Sequence, residues 1–348
     1  MTLDPQSEVV EDGLNRRALV QAFGASTVAA GFASPSSAQQ VSFEATGTDY
    51  VRDPTRWGSA EVAALFPGFK HLDMRTKGAV IRIRHGGSGP PLLLLHGNPR
   101  NHVTWYGVAA RLAERYHVVL PDLRGYGDSS LPDPGPNHIN YSFRAMAEDV
   151  VEVMEKLGHQ RFFLAGNDRG ARASHRLCLD HADRVIKLCL LDGLPNYHVW
   201  TNANKNWALN NWHWSFMAQP EPFPETMMSA VSAEWFLRNR GMGKLTKVVF
   251  DEYVRCFTQK TITGSCHDYR AGATIDFDMD TADKDRKIAM PSLLLVATRG
   301  APPTEELPTV WRKYMSHLVE VQYLPTGHHM QEEAPDGVYD QFVKFFTT

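Results

Sequence analysis

The chain lacks the features that mark a nucleic-acid binder, a membrane protein or a metal-stapled domain. Its 36 lysines and arginines fall short of its 39 aspartates and glutamates, giving a net charge of −3. There is no basic surplus to neutralise phosphates, so nucleic acid is not an expected partner. No apolar run approaches the roughly 20 residues of a membrane-spanning helix, so no stable membrane anchor is expected. The four cysteines, Cys178, Cys189, Cys256 and Cys266, show no CxxC or other metal-ligand spacing. Cys178 and Cys189 read as buried free thiols, whereas the sequence leaves open whether Cys256 and Cys266 pair. Internal repeats are also absent. What remains is a 348-residue chain, 43% hydrophobic and 22% charged, as a soluble globular protein is.

The N-terminus carries its own signal. Asn15-Arg16-Arg17 precedes an Ala/Gly-rich, mildly apolar stretch running to Ala33, and small residues follow at Ser36 and Ala38. An arginine pair, a weakly apolar segment and a small-residue cleavage site read as a twin-arginine export signal cut after about Ala38. The expected mature protein is soluble and periplasmic or secreted.

From Gly78 onward, short apolar runs alternate with longer segments of helical period. Residues 79–83 alternate like an edge strand, and Pro91-Leu92-Leu93-Leu94-Leu95 is a continuous run of the kind a buried parallel strand shows. Further strands are expected at 117–120, 162–165, 185–191, 292–296 and 319–324. Met146, Val150, Val153, Met154 and Leu157 recur at helical spacing, with Ser142 as cap and Gly158 as stop. Such alternation implies an α/β fold, a mostly parallel sheet flanked by helices. The pattern breaks at 195–287, where Trp, Met and Phe-rich helical stretches succeed one another without a strand. We expect this segment to be a helical cap, inserted after the strand ending near Leu191 between core segments 39–194 and 288–348.

Gly166-Asn167-Asp168-Arg169-Gly170 follows a predicted strand and precedes a helix expected from Ala171 to about His181. This is the setting of a nucleophile elbow, where a tight strand-to-helix turn presents its central side chain. The motif usually carries Ser, but here the centre is Asp168, and a carboxylate can displace a leaving group from saturated carbon to form an ester. Alone, the pentapeptide equally suits a capping turn. A partner base lies at Gly327-His328, after the last predicted strand, which is where a histidine activating water should sit. His329 is adjacent, but the residue directly after Gly327 is the better placed. The strand before the cap ends in Asp192, whereas Glu305 is the nearest carboxylate after the next strand, so Asp192 is assigned to orient the imidazole. His96-Gly97-Asn98-Pro99 follows the leucine run, and the backbone N–H groups of Asn98 and Arg169 are expected to form an oxyanion hole. Asp122-Leu123-Arg124-Gly125-Tyr126-Gly127-Asp128-Ser129 reads as structural.

With these residues in place, the chain from about Phe43 onward resembles the fluoroacetate (haloacetate) dehalogenases, α/β-hydrolase-fold relatives of epoxide hydrolases and haloalkane dehalogenases. The resemblance implies that Arg169 and Arg172 bind a substrate carboxylate. It also implies a halide site made by His213-Trp214 and Tyr269, within Asn211-Trp212-His213-Trp214-Ser215-Phe216 and Asp268-Tyr269-Arg270. The implied reaction is hydrolysis of a small 2-haloacid to a 2-hydroxy acid and halide, with no metal and no organic cofactor. Small-molecule substrate and a second copy of the chain, as a homodimer, are the partners it implies. Two positions depart from the pattern: Asn167 where the family usually has His, and Asn98 where it often has Phe. Haloalkane dehalogenases carry Asn at the latter position, where its side chain helps to hold the halide. The competing enzyme reading is an epoxide hydrolase with the same Asp-His machinery and a cap tyrosine as acid. From another class, a non-catalytic binding protein would not need an intact nucleophile, acid and base.

Overall fold

Eight strands form one sheet in the order β1-β2-β4-β3-β5-β6-β7-β8. They are β1 (Lys70–Arg75), β2 (Val80–Gly86), β3 (Pro91–Leu95), β4 (His117–Pro121), β5 (Phe162–Asn167), β6 (Val185–Leu191), β7 (Ser292–Ala297) and β8 (Leu318–Leu324). Pairs β1/β2 and β2/β4 run antiparallel, and every other pair runs parallel. The computed structural model describes residues 58–240, 242, 245–299 and 306–347. The expected export signal at 1–38 with its Arg16-Arg17 pair, the start of the resemblance near Phe43, and Glu305 lie outside them.

The leucine run of β3 explains how the sheet is sandwiched. Leu93 and Leu95 pack into the core on one face, beside helices Phe143–Lys156 and Arg169–Asp180. Leu92 and Leu94 pack into the other, beside helices Tyr106–Leu112 and Pro335–Phe345. All four leucines are fully buried, each contributing about 1.5–3 kcal/mol of transfer free energy. A strand covered on both faces has no need to alternate.

The edge-strand expectation for 79–83 is corrected. β2 lies inside the sheet, and the edge is β1, a largely polar strand. The misleading alternation came from Arg82 and Arg84, both buried. Arg82 pairs with Asp73 of β1 (Nη2 to Oδ2, 2.9 Å), and Arg84 donates to His102 (3.2 Å) while lying over the Phe66 ring. Buried arginines with partners mimic the polar face of an exposed strand.

Helix Phe143–Lys156 begins where Ser142 accepts from the Ala145 N–H and ends at Gly158 with φ +87°. There the N–H groups of Gly158 and His159 donate to Glu155 O and Met154 O, a Schellman termination. Between β6 and β7 the described residues form eight helices, from Asn196–Asn202 to Ile275–Ala282, and no named strand. All four cysteines are free and buried. Cys256 accepts from Asn101 Nδ2, and Cys266 lies 4.0 Å from the Met228 sulfur, so the two do not pair. Among the described residues no helix is long and apolar enough to cross a membrane.

The helix after β5 begins at Arg169, two residues earlier than expected, and its first turn is pressed onto β3. A Cβ on Gly170 would fall 2.5 Å from Leu95 O and 2.6 Å from His96 O, both backbone atoms that cannot swing away. Gly170→Ala is therefore expected to destabilise the protein by about 1–3 kcal/mol in urea unfolding, the scale of overpacking. An unchanged midpoint would show that the contact is looser than described.

Candidate active site

β5 delivers Asp168 to the turn, where its backbone takes φ +53° and ψ −116°, outside the regions a side chain-bearing residue prefers. Such a conformation costs about 1–3 kcal/mol and persists only where the surroundings impose it. The strain sits on the central residue itself, and the flanking glycines provide clearance. A Cβ on Gly166 would lie 2.4 Å from Gly170 O. On the facing loop, a Cβ on Gly97 would lie 2.4 Å from the Asp168 Cβ, so only glycine lets that loop approach.

The two carboxylate oxygens of Asp168 have different surroundings. Oδ2 accepts the Asn98 backbone N–H at 2.8 Å. Oδ1 faces Arg172 Nη1 at 3.1 Å and His328 Nε2 at 3.7 Å. Burial alone would raise the pKa of Asp168, but His328, Arg172 and Arg169 together hold it well below the usual carboxylate range. The group is buried and ionised, the state a nucleophile requires.

His328 Nδ1 lies 2.7 Å from Asp192 Oδ2. Asp192 is pinned where β6 and β7 end: its N–H donates to Leu295 O, its Oδ1 accepts from the Ala297 N–H, and its φ is +45°. Burial lowers the pKa of His328, but contact with Asp168 and Asp192 outweighs it and pushes the imidazole up to about 9. His329 also borders the cavity, but its Nδ1 lies 3.1 Å from Asn167 Oδ1, and burial first, then Arg100, hold its pKa well below the usual imidazole value. Asn167, a departure flagged by the sequence, does not line the cavity. Its Nδ2 donates to Leu191 O and His328 O, each at 3.0 Å, while its Oδ1 accepts from Gln331 at 3.2 Å. It ties the strand before Asp168 to the loop carrying His328, a role invisible in sequence because its partners are far along the chain.

These groups open on a cavity of about 470 Å³ lined by Asn98, Asp168, Arg172, His213, Trp214 and Arg240, among others. The Arg172 guanidinium lies 4.6 Å from the centre of the Trp214 ring. His213 Nδ1 is buried without a hydrogen-bond partner among the described residues, and burial first, then Arg240, hold its pKa well below the usual imidazole value. Tyr269 is fully buried and packs against His213 and Trp214 with ring centres 5.7 and 5.6 Å away, without itself lining the cavity.

Arg169, expected in the carboxylate clamp, is held by the scaffold beside the cavity. It is fully buried and two of its guanidinium nitrogens are engaged: Nε donates to Asp268 Oδ2 at 2.8 Å, and Nη2 to Asp268 O at 2.9 Å and to Asp268 Oδ1, while Nη1 has no hydrogen-bond partner among the described residues. Tyr126, from the segment read as structural, donates to the same Asp268 Oδ2 at 2.6 Å. Arg169 thus ties the elbow helix to the long insertion helix Gln259–Ala273 and does not line the cavity. Arg240, which the sequence reading did not single out, does line it. Asp128, Glu252 and Cys256 lie close enough to share a metal ion, but Arg255 pairs with both carboxylates at 2.7 Å and compensates their charge.

Two outcomes follow from these pairings. Arg169→Met leaves Asp268 buried without its cation and should cost about 3–5 kcal/mol of stability in chemical unfolding, whereas a change confined to substrate KM would contradict the pairing. In NMR titration the His328 imidazole should protonate near pH 9 and lose its proton at lower pH in Asp168→Asn, because one of its two carboxylate neighbours is then neutral. Equal titration in both proteins would show that Asp168 does not act on His328.

The comparisons agree with this geometry. Residues 90–335 match the alpha/beta hydrolase fold family. The chain is 41% identical over 281 residues to a fluoroacetate dehalogenase of Burkholderia sp, covering 78% of this chain and 92% of that one. It is 27% identical to a soluble epoxide hydrolase of Corynebacterium sp. strain C12, covering 75% and 91%. An alpha/beta hydrolase crystal structure from Nostoc sp PCC 7120 superposes with a TM-score of 0.77 at 42% identity, over 80% of this chain and 98% of that one. By matched length, identity and architecture, the chain belongs to the α/β-hydrolase family, in the group that includes the fluoroacetate dehalogenase.

Proposed function

We propose that the protein is a hydrolase of carbon–halide bonds, acting on small 2-haloacids through a covalent ester on Asp168. The observation that carries this reading is an ionised carboxylate, where the fold more often holds Ser, facing a cavity with an imidazole at 3.7 Å from Oδ1. The 41% identity to a fluoroacetate dehalogenase supports the substrate class.

In the first step a lone pair on Asp168 Oδ1 bonds to the α-carbon while the carbon–halogen bond breaks, and halide leaves with the bonding pair. His213 and Trp214 line the space for that ion, with Tyr269 packed behind them. The Asp168 charge vanishes in the ester, so His328 loses one of the two anions raising its pKa and can act as a neutral base. It takes a proton from water as the oxygen adds to the Asp168 carboxyl carbon. The negative charge develops on Oδ2, where the Asn98 N–H already sits. Collapse breaks the bond from the carboxyl carbon to Oδ1, releasing the 2-hydroxy acid with the proton returned by His328, and Asp168, left as a carboxylic acid, gives up the second water proton to solvent. Asp192 keeps the imidazole oriented and offsets its charge throughout. A cavity of about 470 Å³ is in the range of drug-sized sites, so it admits acids larger than a haloacetate.

Single-turnover reaction in heavy-oxygen water, followed by mass spectrometry, should place label in the Asp168 peptide. Asp168→Asn should lower halide release from chloroacetate at least about a thousandfold. Label appearing directly in the product, with none in Asp168, would refute the ester. Turnover of an epoxide with no halide release from chloroacetate or fluoroacetate would move the reading to an epoxide hydrolase.

A further inference from the structure

We propose that Arg240, which no short motif marks, joins Arg172 in gripping the substrate carboxylate. This inference rests on the haloacid reading and names the group that recognises the acid. It starts from a charge count around the nucleophile. In the resting site Asp168 is balanced by Arg172 at 3.1 Å, and Asp192 by His328 at 2.7 Å. A substrate anion entering beside an ionised Asp168 is repelled unless a further cation receives it.

Arg240 is that cation. It caps helix Ala233–Asn239 at its C-terminal end and lines the same cavity as Asp168 and Arg172. Among the described residues no carboxylate lies within 4.0 Å of its guanidinium, whereas the buried Arg100, Arg124, Arg169 and Arg176 each have one; Arg84 also has none but lies over the Phe66 ring and donates to His102. Its Nε is buried without a hydrogen-bond partner. A partly desolvated guanidinium lacking a neighbouring carboxylate is costly, and an anionic ligand offsets that cost.

The side chain is also held in place for the task. Nη2 donates to Asn98 Oδ1 at 3.2 Å, and the Tyr269 phenol interacts with the guanidinium from the cap side. Asn98 is the residue whose backbone N–H holds Asp168 Oδ2, so Arg240 is anchored one residue from the nucleophile. Both of its neighbours are neutral, and neither uses up its charge. Arg172 and Arg240 thus supply two cations against two anions once the acid is bound, with the α-carbon left free to meet Oδ1.

The test separates recognition from chemistry by using propionate, which has no leaving group, and its neutral counterpart propionamide. Calorimetry should show propionate binding to the wild type and at least about tenfold weaker binding to Arg240→Gln, as loss of a charged hydrogen bond implies, with Arg240→Lys intermediate. Propionamide should not distinguish the three proteins. Halide release should fall through KM, by a similar factor for fluoro-, chloro- and bromoacetate. Equal propionate affinity in wild type and Arg240→Gln, or no propionate binding by a folded wild type, would overturn the proposal. So would a loss that grows from bromide to fluoride, since it would place Arg240 on the leaving group. Intact propionate discrimination with no halide released from any haloacid would instead refute the dehalogenase reading and leave the carboxylate grip standing.

Discussion

The Asp168 carboxylate is buried and yet ionised, and much of the surrounding architecture serves to reconcile those two conditions. Removing a carboxylate from water favours its neutral form, so each oxygen must be given compensation that water would otherwise supply. The Asn98 N–H serves Oδ2, while Arg172 and His328 serve Oδ1. None of these donors can be placed without the positive-φ bend that turns Asp168 out of β5 toward the facing loop. That bend is tolerated because Gly166 and Gly170 leave room for backbone to meet backbone, and Gly97 leaves room for the Asp168 side chain. Local strain, close packing and electrostatics are here one problem with one solution.

A second layer of pairs keeps the solution fixed. Arg169 is locked to Asp268, Asp192 is held between β6 and β7, and Asn167 bridges the nucleophile strand and the histidine loop. Each of these groups sits beside Asp168 or His328 in sequence or in space and is hydrogen-bonded to the scaffold, Asp192 through Oδ1 and its N–H while its Oδ2 meets His328. The arrangement assigns rigidity to the core and leaves the cavity wall of the insertion, with its Trp, His and Arg side chains, to decide what enters.

Those two layers differ in how far the sequence disclosed them. The parallel sheet was legible because its strands are local apolar runs, and the elbow and Gly327-His328 because each is a short motif at a strand end. Asp192 followed from the lack of a carboxylate directly after the next strand. What escaped were features defined by a distant partner. Arg82 and Arg84 made β2 look like an edge because their counterparts, Asp73 and His102, lie on other elements. The pairing of Arg169 with Asp268, 99 positions away, left no sign in the chain. Arg240 offered no motif at all, since a lone arginine at a helix end is ordinary until the cavity it faces is known.

The unequal surroundings of the two Asp168 oxygens carry a further implication for where atoms go. On the proposed ester route, with Asn98 keeping the carboxylate from rotating, solvent oxygen would always enter at the position vacated by the departing hydroxy acid, and the oxygen held by the backbone would never be exchanged. Each molecule of product then leaves with an atom installed during the preceding cycle. The enzyme would run one cycle behind its solvent, handing forward an oxygen it acquired while finishing with the previous substrate.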